Sequence, residues 1–334
     1  MQGLRKVAIR GTGMYVPPRV VTNADLEELM DTSDEWIQQR TGIRERHWVD
    51  AGTGPAHLAL EASLRAIEAA EIEPGELDAI IVASLSPHHE FPGTSAFLQD
   101  MLGLSEIPVM DIRCQCTGFL YALNVGQLYV ASGQHERVLV CGAEVHSTGL
   151  DMTTRGRDVT VIFGDGAGAL VLEPSEDAER GILSLHLHAE GKHAKKLWVE
   201  APGTVFSPRL TEEMVREGRI YPHMDGRFVF KHAVTRMPEV VHEALDANKC
   251  TIGDVDLCIF HQANLRINEY VGQQLGIAPE RTYSNIQRYG NCSAASIPMC
   301  LDECVRAGRL EPGDLVLMAG FGSGFTWGSA LIRW

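Results

Sequence analysis

The chain has no surplus of positive charge: 29 Lys and Arg stand against 44 Asp and Glu, a formal net charge of −15 over 334 residues. Nucleic acids and anionic membrane surfaces are held through extended basic surfaces, so neither is expected as a partner, and an acidic ligand needs a local basic patch. Long hydrophobic runs are lacking too. No apolar stretch approaches the roughly 20 residues of a membrane span. The N-terminal MQGLRKVAIRGTGMYV breaks its short apolar run with glycine, unlike a secretory signal. The expectation is a cytoplasmic protein whose eight cysteines are reduced thiols. Phosphate-loop chemistry is missing as well: Phe163 to Ala169, FGDGAGA, has neither the Lys-Ser/Thr of a P-loop nor dinucleotide-fingerprint spacing, and reads as close packing at a dimer or domain core. No metal site is expected, because His88, His89, His186, His188 and His193 have no Cys or carboxylate at ligand spacing.

What is present is enough apolar material, 45% hydrophobic against 22% charged, to bury a large core. An internal duplication organises it. Gly75-Glu-Leu-Asp-Ala-Ile-Ile-Val-Ala-Ser84 resembles Gly253-Asp-Val-Asp-Leu-Cys-Ile-Phe-His-Gln262, and Val138 to Gly142 resembles Val316 to Gly320; 253 − 75 and 320 − 142 both give 178. Continuous Val/Ile/Leu runs bounded by helical patterns point to strands covered on both faces, hence a layered α/β architecture. The expected organisation is an N-terminal half over 1–172, a C-terminal half over 227–334, and between them an excursion over the active-site mouth at 173–226.

Four places can carry chemistry. A strand over Ile107 to Arg113 runs into Cys114-Gln-Cys-Thr-Gly-Phe119 and then a helix that stops at Gly133, which puts Cys116 at a strand-to-helix turn. A helix N-terminus favours thiolate and can depress a cysteine below its usual pKa of about 8.5. A second strand, Val255 to Phe260, delivers His261 at its C-terminal end, where open α/β sheets place their sites. The duplication sets Asn291, in Tyr289-Gly-Asn-Cys-Ser-Ala-Ala-Ser296, on a turn comparable to that of Cys116. The glycine-rich Gly320 to Gly328 segment, with Gly322 and Ser323, can offer backbone N–H groups to an oxyanion.

These segments resemble the β-ketoacyl-acyl-carrier-protein synthase III family of the thiolase superfamily nearly end to end. Thr32 to Ile37, Arg40 to Arg46, the Cys-Thr-Gly-Phe at Cys116, FGDGAGA, His261-Gln-Ala-Asn-Leu-Arg266, Tyr289 to Ser296 and the closing Gly-Phe-Thr-Trp-Gly-Ser-Ala occur in order. The resemblance implies a thiolase-like fold with duplicated βαβαβ halves in five α-β-α-β-α layers. It also implies decarboxylative Claisen condensation of an acyl-CoA primer, held on Cys116, with a malonyl thioester, as at the start of fatty-acid synthesis. His261 and Asn291 would hold the enolate, Trp36, Arg40 and Arg155 the coenzyme A, and Phe91 would enter the acyl pocket of a homodimeric partner. Acyl-CoA and the malonyl thioester are substrates, and no cofactor is implied.

Three departures qualify the likeness. Ser323 stands where relatives carry a third glycine. The stretch Tyr270 to Leu275 lacks the lysine pair that helps dock acyl-carrier protein, leaving Lys231 and Arg266 as candidate contacts. The bulky, polar Leu85 to Phe91 segment points to a primer other than acetyl. The alternative reading is an acyltransferase, or a secondary-metabolite condensing enzyme with a non-acetyl primer.

Overall fold

The apolar runs at duplicated positions form the centres of two sheets in the computed structural model, which describes residues 4–334; the first three residues of the expected N-terminal half lie outside the described residues. The strands in chain order are β1 (Val7–Tyr15), β2 (Val20–Thr22), β3 (Glu45–His47), β4 (Ala79–Ala83), β5 (Val109–Ile112), β6 (Val138–Glu144), β7 (Gly166–Pro174), β8 (Gly181–Ala189), β9 (Leu197–Val199), β10 (Pro222–Met224), β11 (Leu257–Phe260), β12 (Thr282–Tyr283), β13 (Leu315–Gly322) and β14 (Thr326–Arg333). The helices are α1 (Asn23–Glu27), α2 (Asp34–Thr41), α3 (Pro55–Ala69), α4 (Thr94–Met101), α5 (Gly118–Ser132), α6 (Arg157–Thr160), α7 (Glu212–Arg216), α8 (Gly226–Ala247), α9 (Leu265–Leu275), α10 (Ile286–Tyr289) and α11 (Ser296–Arg306).

The first sheet runs β1-β7-β6-β4-β5 and the second β12-β11-β13-β14-β8. Each has the same plan. Parallel β4 and β6 are followed by antiparallel β7, just as parallel β11 and β13 are followed by antiparallel β14. Side chains alternate across each strand, so one sheet serves two layers. Ile80 and Val82 of β4 face out to Leu58, Ala62 and Ala66 of α3 and Leu98 of α4. Ile81 and Ala83 face in to Phe119 and Leu123 of α5 and Ile297 and Leu301 of α11, which also cover Ile259 and Met318 of the second sheet. Beyond that sheet, Met237, Val241 and Val271 of α8 and α9 pack on Cys258, Leu317 and Leu331. The result is the expected five-layer thiolase-like fold. Each large apolar side chain sealed in these layers contributes roughly 1.5–3 kcal/mol by area transfer.

The FGDGAGA run does pack at the core between the halves: a Cβ on Gly168 would stand 2.7 Å from the Met299 backbone nitrogen of α11. The segment expected to wander over 173–226 is narrower than that. Residues 181–189 form β8, which pairs with β14 along its whole length and completes the second sheet. Its alternation of Ile182, Leu185 and Leu187 with serine and histidine gives one apolar face, so the irregular excursion runs over 190–225.

Candidate active site

The chain leaves β5 at Ile112 and bends through Gln115, whose φ is 45°, before α5 begins. Ser293, 293 − 115 = 178 residues on, has the same φ of 45° ahead of α11. A left-handed backbone costs a non-glycine residue about 1–3 kcal/mol and survives only where surrounding structure imposes it. Here the two turns bring the N-terminal ends of the central helices together on one cavity of about 670 Å³, lined by Cys116, Phe163, His261, Asn291, Phe321 and Gly322 among others. A Cβ on Gly322 would lie 2.7 Å from that of Cys116, so only glycine lets β13 end against the thiol.

Cys116 is buried, and burial pushes its thiol up to about 11 despite the Ser293 hydroxyl and the Ser323 and Cys116 backbone N–H groups, all of which favour thiolate. The Ser293 Oγ lies 3.5 Å from the sulfur. The helix start expected to favour thiolate is met here by burial, which raises the pKa of the resting thiol. Both N–H groups lie within hydrogen-bonding reach of the sulfur. Ser323 also anchors the closing loop to the excursion, its hydroxyl donating to the Leu197 carbonyl oxygen.

His261 leaves the end of β11 with its backbone N–H on Ala319 O at 2.8 Å. Burial lowers its pKa to about 3, so the imidazole is neutral. Its Nδ1 lies 2.6 Å from Ser296 Oγ, and its Nε2 has no partner among the described residues. Asn291 is pinned through its backbone, N–H to Ile162 O at 2.8 Å and carbonyl from Gly164 N–H at 3.2 Å. Its Oδ1 accepts the Ser293 N–H at 2.8 Å, which leaves the amide N–H groups to face the cavity. Two neutral donors thus share the cavity with one thiol.

The mouth carries the basic patch that the net charge demanded. Trp36 and Arg40 of α2 line it, with the Arg40 guanidinium 4.5 Å from the indole ring centre. Arg157, not singled out by sequence reasoning, lies 5.0 Å from the same ring. Arg155 donates to Asp151 at 2.6 Å and to Arg216 O at 3.3 Å, and neither it nor Arg157 is among the residues that line the cavity. Arg227 and Arg266 line the mouth, with exposed Lys231 one turn along α8 from Arg227. Asn264 fixes this rim by donating to Arg40 O at 2.9 Å. Phe91 is 82% exposed and does not reach its own chain's cavity.

A buried thiol at one helix start, met by an imidazole and a carboxamide from the duplicated half, defines a thiolase-fold condensing enzyme. Known proteins narrow the class. Residues 110–191 match the family described as 3-oxoacyl-[acyl-carrier-protein (ACP)] synthase III, and residues 245–334 its C-terminal region. β-Ketoacyl-[acyl-carrier-protein] synthase III of Paramagnetospirillum magneticum is 45% identical over 97% of this chain and 98% of its own. The enzyme of the same name from Escherichia coli is 46% identical over 97% and 98%. The crystal structure of 3-oxoacyl-[acyl-carrier-protein] synthase III from Aquifex aeolicus superposes with a TM-score of 0.90 at 41% identity, over 98% of this chain and 100% of that one. The chain belongs to the β-ketoacyl-[acyl-carrier-protein] synthase III family.

Proposed function

We propose that this enzyme primes chain synthesis by transferring an acyl group from acyl-CoA to Cys116 and condensing it with a malonyl thioester, delivered on acyl-carrier protein, to give a β-ketoacyl product. The observation that carries this reading is the meeting of Cys116, His261 and Asn291 on one cavity whose mouth is ringed by Trp36 and arginines. In the first half-reaction the sulfur attacks the thioester carbonyl, the Cys116 and Ser323 N–H groups hold the oxyanion, and CoA thiol leaves with the proton. In the second, the malonyl group loses CO₂, and the electron pair is held as an enolate whose oxygen accepts from His261 Nε2 and the Asn291 amide. The enolate carbon then attacks the acyl carbonyl and expels the Cys116 thiolate, so atoms and electrons balance without a redox partner. Two hydrogen-bond donors suit an enolate better than a simple acyltransfer, which calls for a base.

Coenzyme A fits the rim through stacking on Trp36 and charge from Arg40 and Arg157, while Arg227, Lys231 and Arg266 offer an acidic carrier its docking charges. A homodimer is supported by β5, an edge strand with no partner on its outer side among the described residues, and by exposed Phe91 in the adjoining loop. The test is intact-mass spectrometry after incubation with acyl-CoAs, with and without malonyl-acyl-carrier protein. An adduct on Cys116 that disappears as β-ketoacyl product forms is expected; an adduct indifferent to malonyl groups overturns the condensing role.

A further inference from the structure

Phe163 separates the catalytic cavity from a polar layer that the condensation does not use. Its ring lines the cavity, its backbone is bridged to Asn291, and its carbonyl accepts the Trp48 indole N–H at 3.1 Å. Behind it lies His146, ring centroids 4.5 Å apart. His146 is only 8% exposed and its backbone N–H is held by Asp165 at 2.7 Å, yet its Nε2 is buried with no partner among the described residues. Buried polar atoms in native proteins are almost always paired, so an unpaired one on a ring stacked against a cavity-lining side chain is a place for a ligand atom. Burial and the nearness of His261 hold the His146 pKa down at about 3, so the ring is neutral.

We propose that the primer loaded by this enzyme carries a neutral hydrogen-bonding group, a hydroxyl or keto oxygen, and that His146 Nε2 binds it behind Phe163. The inference rests on the reading that Cys116 takes up an acyl group. His146 does not itself line the cavity, so an acyl chain on Cys116 would reach it only by displacing the Phe163 ring that stacks on it. A plain alkyl end there would leave the nitrogen unpaired, whereas a hydroxyl serves either tautomer, because it both donates and accepts. A carboxylate is disfavoured, since a neutral ring offers a buried anion one hydrogen bond and no counter-charge. His146 is thus a specificity-determining residue.

The test compares rates of Cys116 acylation, by intact mass, for matched CoA thioesters: butanoyl with 4-hydroxybutanoyl, hexanoyl with 6-hydroxyhexanoyl, octanoyl with 8-hydroxyoctanoyl. At one length the hydroxylated primer is expected to load about tenfold faster, the worth of one hydrogen bond to an otherwise unpaired buried atom. His146→Leu should reverse that preference, and His146→Gln should keep it. Faster loading of the alkyl primer at every length overturns the proposal, as does a His146→Leu variant slowed equally on both, which marks a packing role. No adduct with any primer overturns instead the assignment of Cys116 as acyl carrier.

Discussion

The Ser296 hydroxyl lies 2.6 Å from His261 Nδ1 and also accepts the Gln262 backbone N–H at 3.2 Å. With that contact on the oxygen, its hydrogen is free for Nδ1, which places the ring proton on Nε2, the nitrogen that faces the cavity. Ser296→Ala releases this choice of tautomer. Condensation with a malonyl thioester is expected to fall about tenfold or more while Cys116 self-acylation holds, since one donor is misdirected and the nucleophile is untouched. Equal losses in both half-reactions would show that Ser296 only supports the fold.

Gly322 tests the approach of β13 to the thiol. An added methyl would stand 2.7 Å from the Cys116 Cβ and 3.1 Å from its backbone nitrogen, atoms fixed at a strained turn. Gly322→Ala should therefore displace the Ser323 N–H from the sulfur and slow acylation by about a hundredfold or more, at a cost in stability of about 1–3 kcal/mol. Acylation kinetics and urea unfolding measure the two effects. A variant that acylates normally would remove the closing loop from the oxyanion site.

Much of this site was legible in the sequence because its parts are local signals. A strand run, a turn and a helix stop placed Cys116, and the repeat at 178 placed Asn291 on the matching turn; the shared φ of 45° at Gln115 and Ser293 is the physical trace of that repeat. The helix stop at Gly133 is there, with φ 79°. The thiol pKa was not legible, because a helix start is written in the sequence while desolvation depends on residues such as Phe163 and Phe321 that close over it from elsewhere. Nor was the choice between Arg155 and Arg157. They are two positions apart on the chain, and only the fold pairs Arg155 with Asp151 and sets Arg157 beside the Trp36 ring. β8 was missed because its alternating histidines resemble a solvent-facing loop until β14 pairs with its edge.

Arg157 and Arg155 should consequently differ in function. Arg157→Ala removes a cation from the Trp36 ring and is expected to raise KM for acyl-CoA about fivefold with little change in kcat, as loss of about 1 kcal/mol of binding predicts. Arg155→Ala should leave KM within about twofold, its charge being engaged with Asp151. Steady-state kinetics with varied acyl-CoA decides between them, and the reverse ranking would return Arg155 to the binding site.

Glu144 closes β6 beside the catalytic turns, and burial raises its carboxyl to about 7 although Ser86 and the Leu85, Ser86 and Ala294 backbone N–H groups favour the ionised form. A raised native pKa means that below about 4.5 both native and unfolded chains hold the proton and its stabilising effect is complete. Between about 4.5 and 7 the unfolded chain ionises while the native carboxyl does not, so stability falls as pH rises, by a few kcal/mol in all, and then levels off. Glu144→Gln should flatten that fall, which urea titrations of both proteins at pH 5 and pH 8 would reveal as a smaller difference in the variant. Glu144 also raises the Cys116 pKa when ionised. The same substitution should therefore make the thiol react faster with iodoacetamide above pH 8, and an unchanged alkylation rate would mean that desolvation alone holds the nucleophile in its resting, protonated form.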